Sequence, residues 1–132
     1  MSFGNPIVIT YAIPAVNITA GAATAIKAPN GFSNGRILDV GCRVTTSFTA
    51  VTLAGRMKVG TTGAAAAYAD LMMATADGGT GAAATDLWNT QNKPSAITEP
   101  DVTDEQIEVT FTAPTGGAPA GVGDFYITVA WF

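Results

Sequence analysis

The sequence predicts an all-β domain, a two-sheet antiparallel sandwich and specifically a jelly roll of about eight strands with an extended N-terminal arm. Three observations carry that expectation. Apolar and polar residues alternate with period two in at least three stretches, the mark of strands with one buried face. Short runs of Gly, Pro, Asn and Asp punctuate the chain between those stretches. No strand–helix–strand alternation is visible, so a parallel sheet covered by helices is not indicated. At 132 residues the length suits one domain, able to bury roughly 70% of its extended-chain surface.

Taken in order, residues 1–33 read as an N-terminal arm with edge strands, and residues 34–132 as the sandwich body. In the arm, Ile7 to Ile13 is extended in character, and Pro14 is expected to end it because proline cannot donate to a ladder. Val16 to Thr19 and Ala22 to Lys27 are short strand candidates. Pro29-Asn30-Gly31 and Asn34-Gly35 mark turns. Ordering of the arm against a neighbouring molecule is part of this expectation.

In the body, Arg36 to Phe48 alternates with Leu38, Val40, Cys42, Val44 and Phe48 on the apolar face. Arg56 to Val59 is a weaker strand, apolar at Met57 and Val59. Gly60 to Gly63 is a turn, and the alanines 64–67 after it are compatible with a short helix that tertiary contacts would have to hold. Asp77 to Gly81 is a glycine-rich loop, and Asp86 to Pro94 a loop or short strand carrying Trp88. Glu105 to Thr112 turns Ile107, Val109 and Phe111 inward. Pro114 to Gly123 joins it to a last strand with Phe125, Ile127, Val129 and Trp131 inward. These last two strands are expected to be antiparallel neighbours.

Charge is the unusual feature. Only 12% of residues are Asp, Glu, Lys or Arg, against about 25% in an average soluble domain. Hydrophobic residues are 48% and the mean hydropathy is +0.30, so the chain folds rather than remaining disordered. Its exterior must be built from Ala, Gly, Thr, Ser and Asn. Such a surface loses little hydration when covered, which suits a subunit of an assembly. With 6 basic and 10 acidic residues the net charge is −4. Nucleic acid and anionic membrane are poor partners for it, since both need clustered Lys and Arg. No apolar run approaches the ~20 residues of a membrane helix. A single cysteine and an N-terminus without basic and apolar signal regions fit synthesis in a reducing cytoplasm.

Catalytic chemistry finds few candidates, and the chain is read as a non-enzyme without cofactor or metal. Histidine is absent, which removes Ser/His, Cys/His and His-ligated metal sites. Cys42 falls on an apolar strand face and reads as a buried structural thiol. Glu99, Asp101, Asp104, Glu105 and Glu108 form an acidic stretch. They sit at the start of a strand and on its outer face, where solvation is the ordinary role. Calcium is the specific alternative, though no glycine-punctuated calcium loop accompanies them. Asp77-Gly78-Gly79-Thr80-Gly81 lacks the Gly-Lys-Ser/Thr of a phosphate-binding loop.

Partner contacts are expected from Phe3, Ile7, Ile9, Tyr11 and Ile13 of the arm, and from Tyr68 and Trp88. Exposed aromatics can stack on sugar rings or anchor a protein interface, and for Trp88 the sequence leaves both open.

Two stretches resemble small virion proteins of tailed bacteriophages. One is Gly35-Arg36-Ile37-Leu38-Asp39-Val40-Gly41-Cys42-Arg43-Val44-Thr45-Thr46-Ser47-Phe48 together with Met57-Lys58-Val59-Gly60-Thr61-Thr62-Gly63 and the run through Tyr68-Ala69-Asp70. The other is the ending Ala120-Gly121-Val122-Gly123-Asp124 followed by a closing strand to Phe132. The group includes head decoration, or cement, proteins with a β-sandwich or jelly-roll body. The resemblance implies a homotrimer or similar cluster on the capsid exterior, with the major capsid protein as partner. It implies stabilisation of the expanded shell and no enzymatic activity. A head-fibre, tail or receptor-binding module that holds host glycans through Trp88 and Tyr68 is the alternative.

Overall fold

Nine strands and two antiparallel sheets organise the residues described by a computed structural model, namely 6–20, 23–49, 55–72, 87–89, 97–104, 106–113, 115–116 and 120–132, the side chains of 47–49, 72 and 87–89 excepted. The strands are β1 (Ile7–Asn17), β2 (Ala23–Lys27), β3 (Gly35–Thr49), β4 (Arg56–Thr61), β5 (Ala64–Met72), β6 (Leu87–Asn89), β7 (Asp101–Val102), β8 (Gln106–Thr112) and β9 (Ala120–Trp131). The first sheet runs β1-β9-β3-β6, with β7 on β3, and the second runs β2-β8-β4-β5. With the two-residue β7 set aside, β8 and β9 become the seventh and eighth strands. The sheets then read first-eighth-third-sixth and second-seventh-fourth-fifth, the order of a jelly roll.

Apolar faces of the two sheets meet in one core. Ile37, Val40, Cys42, Val44, Phe125, Ile127, Val129 and Trp131 come from the first sheet. Ile26, Met57, Val59, Tyr68, Leu71, Ile107, Val109 and Phe111 come from the second. Phe111 and Phe125 touch edge to face across the gap, with ring centroids 4.7 Å apart, a favoured aromatic geometry. That contact corrects the expectation that the last two strands are neighbours. β8 pairs with β2 and β4, whereas β9 pairs with β1 and β3. Their apolar faces are opposed across the core instead of lying side by side.

Residues 7–27 are built into this body. β1 pairs along β9 from Ile7↔Trp131 to Asn17↔Val122, and β2 pairs along β8. Val16, Ile18 and Ile26 are core residues. Edge strands are therefore present in this stretch, held by the chain's own sheets. Residues 1–5 lie outside the described residues.

Local departures from simple alternation have identifiable causes. β1 continues through Pro14, because the ladder slips between Ile13 and Val16 and β1 is an edge strand with nothing described beyond it; proline is tolerated at such bulges. Ala15 takes a left-handed φ of 53° there, and its N–H donates to Asp124 Oδ1 at 2.9 Å. In β3 the register shifts between Ile37↔Val129 and Asp39↔Thr128. The extra residue flips the phase, so Ile37 is buried and Leu38 exposed, the reverse of the alternation expected before Val40. The alanines 64–67 form strand rather than helix, since ladder pairing of β5 with β4 outweighs a propensity difference of under ~1 kcal/mol per residue.

Two turn signals resolve differently. Pro29 to Phe32 closes a turn by Phe32 N–H to Pro29 O at 3.0 Å, with Gly31 at φ 89°, the backbone region glycine supplies. Asn34-Gly35 is instead a pairing site. Asn34 and Phe132 exchange backbone hydrogen bonds at 2.9 and 3.2 Å, and a Cβ on Gly35 would come within 2.8 Å of the Trp131 ring.

Candidate functional site

Among the described residues, the lateral edge of the first sheet leaves apolar material uncovered. The eleven residues Ile7–Asn17 contain no charged side chain. Ile9, Tyr11 and Ile13 point toward the core and pack against it but remain only partly buried, because β1 is the last strand of its sheet among the described residues. Tyr11 is fixed by its hydroxyl, which accepts a 2.8 Å hydrogen bond from Trp131 Nε1. On the outer face, Thr10 and Thr128 share a hydroxyl hydrogen bond of 2.9 Å.

A second feature lies at one end of the same sheet. The large apolar side chains exposed among the described residues are Ile7 (43%), Val8 (56%), Leu38 (46%) and Phe132 (47%). Register gathers them. Ile7 pairs with Trp131, itself opposite Gly35, and Val8 pairs with Ala130, itself opposite Arg36. Phe132 follows Trp131 and is bonded to Asn34, while Leu38 is the bulged residue just beyond. Arg36 and Asp101 form an exposed ion pair at 2.8 Å beside this group, worth at most about 1 kcal/mol. At the same end, between the close of β2 and the start of β3, an open cleft of about 560 Å³ is lined by residues 27–33 and Gln106.

The residues expected to bind partners separate into three groups. Ile7 is exposed, and Ile9, Tyr11 and Ile13 are half-covered on the edge strand. Tyr68 is not a surface aromatic. It is buried, and its hydroxyl donates to the Asp104 carboxylate. Burial and then that carboxylate push the Tyr68 pKa upward. Phe3 lies outside the described residues, as does the side chain of Trp88. The Trp88 backbone is in β6, opposite Cys42, so this part of the 86–94 stretch is strand. Val8, Leu38 and Phe132 were not anticipated as contact residues. The consecutive apolar pair Ile37-Leu38 within a strand was the available signal, since one of two such neighbours must face out unless a bulge intervenes.

Polar chemistry in the fold is dispersed. Asp101 pairs with Arg36, Glu99 Oε1 accepts from Asp101 N–H at 3.0 Å, Asp104 accepts from Tyr68, and Glu108 Oε2 accepts from Thr62 Oγ1 at 3.2 Å. Among the described residues no three His, Cys, Asp or Glu side chains gather as metal ligands. Asp77 to Gly81 and Glu105 lie outside them. Cys42 is fully buried, and its pKa is pushed up to about 12 by burial and then by the negative charge of Asp124. It stays a protonated thiol at neutral pH, a poor nucleophile.

An uncharged edge, an apolar end and dispersed carboxylates define a surface suited to protein contact. No protein-family model and no curated protein matches the chain. Among solved structures, the chain is similar to the "Cyanophage Pam1 capsid asymmetric unit", with 16% sequence identity and a TM-score of 0.46 over 98% of this chain and 88% of that one.

Proposed function

We propose that this protein is a structural virion subunit, a capsid decoration protein that binds the outside of a phage head and stabilises the expanded shell. The observation that carries the proposal is the exposure of Val8, Leu38 and Phe132, with Ile7 at the adjoining sheet edge, at one end of a charge-poor β-sandwich. Large exposed apolar groups in one place mark interaction sites in soluble proteins, and a surface poor in charge adds little desolvation penalty around them. The motif resemblance in residues 35–48, 57–70 and 120–132 directs the reading to phage heads. On this reading the partners are the major capsid protein and further copies of this chain, clustered in threes by the resemblance, and the location is the capsid exterior after synthesis in the host cytoplasm. Many modest contacts repeated by symmetry give avidity against internal pressure without any catalytic group.

Co-sedimentation with expanded, undecorated phage heads tests the proposal. The wild-type chain is expected to bind saturably, and Leu38→Lys to bind at least roughly ten-fold more weakly, the loss of one buried apolar side chain being worth more than 1.4 kcal/mol. Failure of the folded wild-type chain to bind overturns the reading. Binding to host polysaccharide that is lost in Trp88→Ala would then favour the receptor-binding alternative.

A further inference from the structure

We infer that copies of this chain associate edge to edge through β1, antiparallel, about a two-fold axis at Thr10. The inference concerns the lateral edge of the first sheet and does not rest on the capsid reading.

Four observations lead to it. β1 ends its sheet among the described residues, so one row of its backbone groups has no neighbouring strand there. Such a row is a template for another strand. Ile9, Tyr11 and Ile13 face the core but stay partly exposed, as they would if one further strand belonged beside them. A second copy supplies that strand.

The occupant follows from self-complementarity. Isologous contact requires that a surface match itself after a two-fold rotation. The pairable run is Ile7 to Ile13, bounded by Pro14, which has no N–H, and by the register slip after Ile13. Its centre is Thr10. Rotation about Thr10 sets Ile7 against Ile13, Val8 against Ala12 and Ile9 against Tyr11. Core-facing residues therefore meet core-facing residues, and outward ones meet outward ones, so the two sheets join without a face mismatch. No charge lies anywhere in Ile7–Asn17, and an edge that meets itself can carry none opposite its own image without repulsion. Natural edges that must stay free usually carry such charges.

Register-specific cross-linking of the full chain tests this. Residues opposite each other in an antiparallel pair have Cα atoms about 4.5–5.5 Å apart, within the range a disulfide spans. Thr10→Cys is expected to form a covalent dimer on mild oxidation. Ala12→Cys alone is expected not to, because the two copies of residue 12 would be roughly 13 Å apart along the strands. An equimolar mixture of Val8→Cys and Ala12→Cys is expected to form the mixed dimer. Cys42 is fully buried and does not compete.

Sedimentation without any cross-link supplies the second readout. Thr10→Lys sets two ammonium groups together at the axis and is expected to weaken association roughly ten-fold or more. Mixing it with Thr10→Glu is expected to restore the wild-type mass. A wild-type mass unchanged by Thr10→Lys overturns the inference. So does Ala12→Cys linking to itself as readily as Thr10→Cys.

Discussion

β9 and β1 lie side by side, carry the same kind of alternating apolar sequence, and end up in different environments. In β9, Phe125, Ile127, Val129 and Trp131 are 0–1% exposed. Their partners in β1, Ile13, Tyr11, Ile9 and Ile7, range from half-buried to 43% exposed. β9 has β3 on its far side and β1 has no described strand there. The difference teaches that burial of a strand face depends on what lies laterally as well as on the opposite sheet. Hydrophobicity beyond what the single chain covers is then available to a second molecule.

Truncation of one core-facing isoleucine in each strand gives the largest expected effect and the sharpest form of the comparison. Ile127→Ala removes a fully buried side chain and should destabilise by about 2–5 kcal/mol. Ile9→Ala, on the adjoining strand, should lose only about 1–2 kcal/mol, since part of its surface is already in water. Urea unfolding of both variants measures the gap, and equal losses would remove the distinction between the strands.

Tyr11→Phe comes next. It keeps the ring but leaves the buried Trp131 Nε1–H without its acceptor, and an unpaired buried donor costs about 1–3 kcal/mol. The same unfolding measurement checks it, and a stability equal to that of the wild-type chain would show that this hydrogen bond adds nothing to the fold.

Ala15→Gly should raise stability by up to about 1 kcal/mol, seen as a small increase in Tm. A left-handed alanine is strained by roughly 1–2 kcal/mol, and glycine gives back part of that relief as unfolded-state entropy. The smallest effect belongs to Leu38→Lys. Its side chain projects from the bulge, so unfolding should change within about 0.5 kcal/mol even where binding to heads is lost.

Much of this behaviour is legible in the sequence. The inward positions of β8 and β9 follow from their alternation, and Cys42 is placed in the core by the same pattern. Part of the candidate surface was visible too, because Ile7 to Ile13 lacks charge and turn residues. Leu38 was not, since the bulge at Ile37 reverses the local phase and a period-two reading carries straight through it. Tyr68 misled for a related reason. Its neighbours are small alanines, and nothing local reports that it is buried with its hydroxyl on Asp104, 36 residues further along the chain.

The sequence by itself determined the all-β class, the two-sheet sandwich, the faces of the strongly alternating strands and the scarcity of charge on the exterior. Those properties are set by neighbours one or two residues apart along the chain. Only the tertiary structure decided that β8 and β9 belong to opposite sheets, that β1 continues past Pro14 as an edge, that 64–67 is strand, and that Val8, Leu38 and Phe132 share one end. Each of these depends on pairing between residues far apart in sequence. Ile7 meets Trp131 across nearly the whole chain, and no local pattern specifies which strand will be its neighbour.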